Sequence, residues 1–261
     1  MNMSYDLPDV IRVEKDGPVR IVRLSRPDQL NAINDELHLG LTRLFPQLSA
    51  DEEARAAVIT GEGRAFSAGG DFDLLDRMAK DRQLRHDTIA EGRELVINMI
   101  RCRVPVVAAV NGPAVGLGCS VIALSDVVYM AESAYLSDPH VVVGLVAADG
   151  GPLTWRLHTS LLLAKEYAFT GDRITAERAA AIGLANHVVP DDDVLPTALA
   201  TARKIAALPR QAVEATKRVL NLHVERSVLA TIDFAMASET ESFDTDDLRR
   251  NVDKFLGRGS K

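Results

Sequence analysis

The residue types best suited to chemistry lie in two short glycine-bearing segments, Ala65-Phe66-Ser67-Ala68-Gly69-Gly70-Asp71 and Asn111-Gly112-Pro113-Ala114-Val115-Gly116-Leu117-Gly118-Cys119-Ser120. Each follows an apolar run that reads as a buried strand, at 57–60 and at 106–110, and each leads into a predicted helix. Small residues at such strand-to-helix turns let the backbone approach a ligand closely. The helix start also leaves N–H groups unpaired, with the positive end of the helix dipole behind them. Two amides of this kind converging on one point form an oxyanion hole, which stabilises charge developing on a carbonyl oxygen.

A phosphate or dinucleotide loop is the rival reading. Gly61-Glu62-Gly63 after a strand has the start of a dinucleotide fingerprint, but the third glycine is misplaced, and no Gly-Lys-Ser/Thr closes either segment. As tight turns without a ligand, either segment alone is unremarkable; the two together are not. Asp71 is placed to cap the helix that follows it.

The elements that position these turns alternate. Apolar runs at 10–13, 21–24, 57–60 and 106–110 are interleaved with predicted helices over 35–50 and 82–101, an α/β pattern. No strict internal repeat is present. Beyond about residue 175 strands nearly vanish, and 176–182, 194–207, 209–222 and 227–256 read as helices. Pro190-Asp191-Asp192-Asp193 reads as a solvated acidic turn capping the next helix rather than a metal site, and 258–261 as a frayed tail.

With 261 residues, 47% of them hydrophobic, the chain can bury a sizeable core in one or two domains. A net charge of −7 disfavours nucleic acid as a partner, because phosphate binding needs concentrated Lys and Arg. Two separated cysteines, Cys102 and Cys119, make neither a disulfide framework nor a zinc site. No export signal or membrane-length apolar run is read, so a cytoplasmic protein without a membrane partner is expected.

Together the two turns resemble those of the crotonase superfamily, the enoyl-CoA hydratase/isomerase family. The resemblance runs from about Val13 to the C-terminus. It includes the hairpin and Arg26-Pro27-Asp28-Gln29-Leu30-Asn31-Ala32 turn, the Thr170-Gly171-Asp172 turn, and the stretch Gly183-Leu184-Ala185 to Val189. It implies a crotonase-like spiral of ββα units: a core over 1–190 with the acyl-CoA site, and a helical C-terminal region over 191–261 for assembly into a homotrimer or dimer of trimers. It also implies an acyl-CoA thioester as substrate, with coenzyme A as part of that substrate and no separate cofactor or metal. By the family pattern the oxyanion donors are the N–H groups of Ala68 and Leu117. Gln29, Leu30, Gly69, Gly70, Asp71 and Gly116 are then expected to contact substrate.

The acid/base positions depart from the family's hydratases, which carry two glutamates across the substrate. Here Ser120 stands at the first position, and Pro139 is followed by His140 at the second. The substitutes read from the sequence are His140, able to exchange protons near neutral pH, and Asp149 nine residues on. The implied reaction is hydration, dehydration or double-bond migration through a thioester enolate. A His and an Asp at this spacing also resemble the β-diketone hydrolases of the superfamily, which cleave a C–C bond of a 1,3-dicarbonyl; a catalytically silent binding protein is a third reading. Cys119 and Ser120 rank low as nucleophiles. Glu91 and Glu94 read as a solvated pair and Trp155 as packing.

Overall fold

The computed structural model describes residues 5–149 and 151–258. The tail expected at 258–261 falls, beyond Arg258, outside the described residues. The chain opens with a hairpin, β1 (Ile11–Asp16) and β2 (Val19–Leu24), closed at Gly17-Pro18, where Gly17 takes a positive φ of 56°. Next come α1 (Asp35–Ala50), β3 (Ala56–Gly61), α2 (Phe72–Lys80), α3 (Arg82–Arg101) and β4 (Val106–Val110). The central part holds β5 (Ala114–Val115), α4 (Leu117–Ala123), β6 (Val127–Ala131), β7 (Tyr135–Ser137), α5 (His140–Val143), α6 (Gly151–His158) and α7 (Leu161–Thr170). The C-terminal part holds β8 (Ile174–Thr175), α8 (Ala176–Ala181), β9 (His187–Val189), α9 (Val194–Ala206), α10 (Arg210–Leu229), α11 (Ile232–Ser242) and α12 (Asp246–Phe255).

The main sheet has the order β1-β2-β3-β4-β6-β9, parallel from β2 onward. Every residue of β3 and β4 is buried, as expected of parallel strands covered on both faces, which explains their continuous apolar runs. A second, small sheet, β5-β7-β8, is extended by single bridges between Ser67 and Ala114 and between Ile33 and Gly70. Each turn of the chain therefore contributes one long strand to the main sheet and, a few residues later, one short segment to the second layer: β3 with 67–70, β4 with β5, β6 with β7. This is the ββα spiral that the resemblance implies, and it brings both glycine-bearing turns to the second layer.

Local chemistry sets the helix starts. Asn34 accepts from the Leu37 N–H, Asp71 from Asp73, Asp81 from Gln83 and Leu84, and Thr245 from Leu248. In the C-terminal part, α10 runs unbroken through 222–227, where two helices were expected, and the single helix expected over 227–256 is divided into the end of α10, α11 and α12. No proline or glycine interrupts α10, whereas Thr231 and Thr245 stand at the starts of α11 and α12. Helix α9 buries Val194, Ala198, Ala202 and Ala206 in the main core, so the chain after 190 shares that core. No described helix is long and apolar enough to cross a membrane.

Candidate active site

The first turn is held by Asn31, fully buried, whose side chain accepts from the Arg26 N–H (2.8 Å) and donates to the carbonyls of Glu62 (3.0 Å) and Ala65 (2.9 Å). Leu30 and Asn31 both adopt left-handed φ values, 52° and 54°, which that network stabilises. The turn presents the Leu30 carbonyl to the Ala68 N–H at 2.9 Å. Ala68 lines the pocket, but its amide is already spent on Leu30, so the donor expected there is corrected. The amide this turn leaves free is that of Gly70 instead. The bridge to Ile33 uses the Gly69 carbonyl (2.8 Å) and the Asp71 N–H (3.0 Å), and a parallel ladder then turns the N–H of Gly70 itself to the opposite side. That amide has no acceptor among the described residues.

In the second turn Gly116 has φ 51° and ψ −124°, a conformation suited to glycine. It makes Leu117 the first residue of α4, where the N–H has no intrahelical acceptor. The Leu117 side chain is buried in the core and leaves the amide clear. The two turns pack so closely that a Cβ on Gly118 would lie 2.7 Å from the Ser67 Cβ, and one on Gly69 would lie 3.0 Å from the Val115 carbonyl oxygen.

Gly70 and Leu117 both line a pocket of about 290 Å³. Its apolar wall includes Leu74, Leu75 and Met78 of α2, Val142, Val143, Leu145 and Phe255. Phe72 and Phe255 stack at a ring-centroid distance of 4.4 Å, fastening α12 against α2. The polar wall includes His38, Thr88, His140, Asp149 and Glu239. Of the expected contact residues, Gly69, Gly70 and Gly116 line this pocket, whereas Gln29, Leu30 and Asp71 do not. Gln29 and Leu30 form the supporting turn, and Asp71 caps α2 while its other oxygen lies 3.4 Å from Arg26.

His140 begins α5 immediately after Pro139, with its ring edge against Gly116. It sits between two carboxylates. Nδ1 is hydrogen-bonded to Asp138 Oδ1, and Nε2 is 3.6 Å from Asp149 Oδ2. Burial acts to lower the imidazole pKa, but the charges of Asp138 and Asp149 and their hydrogen bonds more than offset it, holding His140 protonated well above the ordinary histidine range. Asp149 is half-buried and desolvation acts to raise its pKa, yet the His140 charge and hydrogen bonds from His140 and Ser120 hold it below the ordinary value. Ser120 thus serves this carboxylate: its Oγ donates to Asp149 Oδ1 at 2.8 Å and accepts from the Gly151 N–H at 3.2 Å.

Glu239, from α11, is the opposite case. Burial first, and the Asp149 charge second, push its pKa up to about 8, with the His140 charge opposing. It keeps its proton at neutral pH while Asp149 does not.

Besides Thr88, three residues of the polar wall and its support had no part in the expected site. Asp138 stands two residues before His140, and that proximity was a usable signal. His38 and Glu239 come from α1 and α11, and nothing local marks them. Glu91 is not part of a solvated pair: its Oε2 is 3.0 Å from His38 Nδ1, whereas Glu94 is exposed. Cys119 is buried, and burial together with the Asp138 and Asp149 charges keeps its thiol neutral, in line with its low rank as a nucleophile.

A larger cavity, about 620 Å³ between α10 and the β4–α4 side of the core, is less suited to chemistry. Its Lys217 ammonium is held by Asp126 Oδ2 (2.6 Å) and the Val104 carbonyl (2.8 Å). Among the described residues no group of three or more His, Cys, Asp or Glu is placed to hold a metal ion.

Residues 14–261 match the family model described as enoyl-CoA hydratase/isomerase. The crystal structure of an enoyl-CoA hydratase/isomerase from Mycobacterium paratuberculosis superposes with a TM-score of 0.94 at 64% identity, covering 96% of this chain and all of that one. A short-chain-enoyl-CoA hydratase of Clostridium acetobutylicum is 33% identical over 91% of this chain and 89% of its own length. The human mitochondrial Delta(3,5)-Delta(2,4)-dienoyl-CoA isomerase is 33% identical over 95% and 79%.

Proposed function

Because the chain belongs to the enoyl-CoA hydratase/isomerase family, we propose that it binds an acyl-CoA thioester with the thioester oxygen on the Gly70 and Leu117 amides, and that it hydrates or isomerises an enoyl group. The observation that carries this is the pair Asp149 and Glu239. Two carboxyl groups in one pocket, one held ionised and the other protonated up to about pH 8, supply a base and an acid at neutral pH. They take the roles left open by the two absent glutamates. In hydration, Asp149 accepts a proton from water as its oxygen bonds to the β-carbon, and charge moves onto the thioester oxygen, where the two amides stabilise it. Glu239 then returns a proton to the α-carbon, so the elements of water are added across the double bond. In isomerisation the same two groups remove and replace carbon-bound protons. His140 keeps Asp149 ionised and orients it. This lyase or isomerase chemistry needs no group beyond the thioester itself.

A second reading is carried by the imidazole. With Nδ1 held by Asp138, Nε2 of His140 faces Asp149 and can orient a water between them. Asp149 would take a proton from the water as its oxygen adds to one carbonyl of a 1,3-dicarbonyl; collapse of that adduct to a carboxyl group would break the adjacent C–C bond, and the central carbon would leave as an enolate stabilised by the same amides and take the proton back from Asp149. No observation favours a silent binding protein.

The proposal extends to assembly as a homotrimer or dimer of trimers. Leu162, Phe169 and Phe234 are 81%, 70% and 80% exposed in the single chain, large apolar side chains that a subunit contact would cover. A monomer in sedimentation analysis would remove that part.

The test of the site is spectroscopic. A conjugated aryl-enoyl-CoA thioester should bind with a red shift in absorbance, because the two amides polarise its carbonyl. Absence of binding, with turnover of a cyclic 1,3-diketone, would replace the first reading by the second.

A further inference from the structure

We infer that Trp155 and Asp138 form a hydrogen-bonded pair behind His140, the indole N–H donating to Asp138 Oδ2, and that both are positioning residues that fix which ring nitrogen of His140 faces the pocket. Both side chains are 1% exposed. Among the described residues only three buried side-chain polar atoms lack a partner, and two of them are Asp138 Oδ2 and Trp155 Nε1. Both border one small space, in which the two atoms do not meet hydrogen-bond geometry as they stand, so the pair forms by a shift of the side chains toward each other. A Cβ built on Gly151 would lie 2.6 Å from Asp138 Oδ2 and 3.6 Å from Trp155 Cε2, the ring carbon bonded to Nε1. A carboxylate only accepts and an indole only donates, so each is what the other lacks.

The start of α6 then anchors both carboxylates that face His140. The Gly151 N–H binds Ser120 Oγ, which donates to Asp149. Four residues later on the same helix, Trp155 takes Asp138. Glycine at 151 is what permits this, because any side chain there would stand on Asp138 Oδ2. The groups bearing on His140 are therefore Asp138 and Asp149 on either side of the ring and Glu239 from α11, and Trp155 acts on the ring only through Asp138.

Trp155 is the sole tryptophan, so a ¹H–¹⁵N spectrum of the whole protein contains one indole resonance. The expected result is a downfield indole proton, slow to exchange with solvent, that moves upfield in Asp138→Asn, where a neutral amide replaces the carboxylate. Trp155→Phe, which keeps a packed ring but lacks the N–H, should shift the His140 Nδ1 proton and lower kcat about tenfold with KM little changed. An indole proton that exchanges as fast as a free one, or that ignores Asp138→Asn, overturns the pairing. The wild-type exchange rate decides the matter even if a variant does not fold. Only the kcat arm rests on the proposed function; the resonance reports the pair whatever the reaction, so the two can fail separately.

Discussion

Replacing His140 by glutamine removes the one cation between the buried Asp138 and the half-buried Asp149. The His140 side chain is 12% exposed, Asp138 1% and Asp149 14%, so none of the three charges is well solvated. Breaking a buried pair by deleting one partner costs about 3–5 kcal/mol, and because glutamine still offers a hydrogen-bond donor the low end, about 3 kcal/mol, is expected. At about 2–4 °C per kcal/mol for a domain of this size, Tm should fall by about 6–12 °C. The pH dependence has a definite sign. The raised pKa of His140 gives a stabilisation that is complete below its ordinary value of 6.5 and fades as pH rises through the higher folded value. The lowered pKa of Asp149 gives one that is present above 3.8 and fades as pH falls through the lower folded value. The gap between wild type and His140→Gln should therefore be widest between pH 3.8 and 6.5 and should narrow on alkalinisation. Urea unfolding of both proteins across this range measures it. Equal stabilities, or a gap that widens with rising pH, would refute the reasoning.

Glu239→Gln removes the protonated carboxyl: kcat should fall about 10²–10⁴-fold with KM little changed, and the wild-type decline above pH of about 8 should disappear from what activity is left. A decline that persists would assign it to another group. Gly118→Ala drives a Cβ to 2.7 Å from the Ser67 Cβ and displaces the start of α4, so kcat should drop about 100-fold through the Leu117 amide; an unchanged kcat in a folded variant would contradict that placement. Asn31→Ala strips three hydrogen bonds from the buried turn and leaves alanine at φ 54°, for a loss of about 3 kcal/mol in denaturant unfolding; a loss under about 1 kcal/mol would show that the turn holds itself.

The sequence made the buried strands legible because parallel strands covered on both faces must be apolar throughout, as β3 and β4 are. The helices expected over 35–50 and 82–101 match the bounds of α1 and α3, whose starts are capped by Asn34 and Asp81. The Leu117 assignment came from the family resemblance, and in the structure Leu117 begins α4, where its N–H has no intrahelical acceptor. The Ala68 assignment failed because which amide of a glycine-rich turn stays free depends on the partner strand, and here Leu30 and Ile33 settle it from forty residues away. His140 and Asp149 were visible as chemistry-bearing types in one stretch, but the clamp by Asp138 and the contribution of Ser120 depend on side-chain directions. Glu239 was invisible for a different reason. A glutamate on α11, a helix without a marked apolar stripe, acquires its raised pKa only when the C-terminal helices fold back over the pocket. The helix boundaries after 209 were misplaced because α10 carries no strong break and its polar and apolar residues suit several helix ends.

The central claim is that free amides at Gly70 and Leu117, with Asp149 and Glu239 in place of a glutamate pair, run acid/base chemistry on an enoyl thioester. The most direct test follows loss of the enoyl-thioester absorbance of crotonyl-CoA with wild type, Asp149→Asn and Glu239→Gln side by side. Turnover by wild type that is abolished in both variants, with CoA-thioester binding retained, is the predicted result. Binding without turnover by wild type, or turnover that survives in both variants, would contradict it.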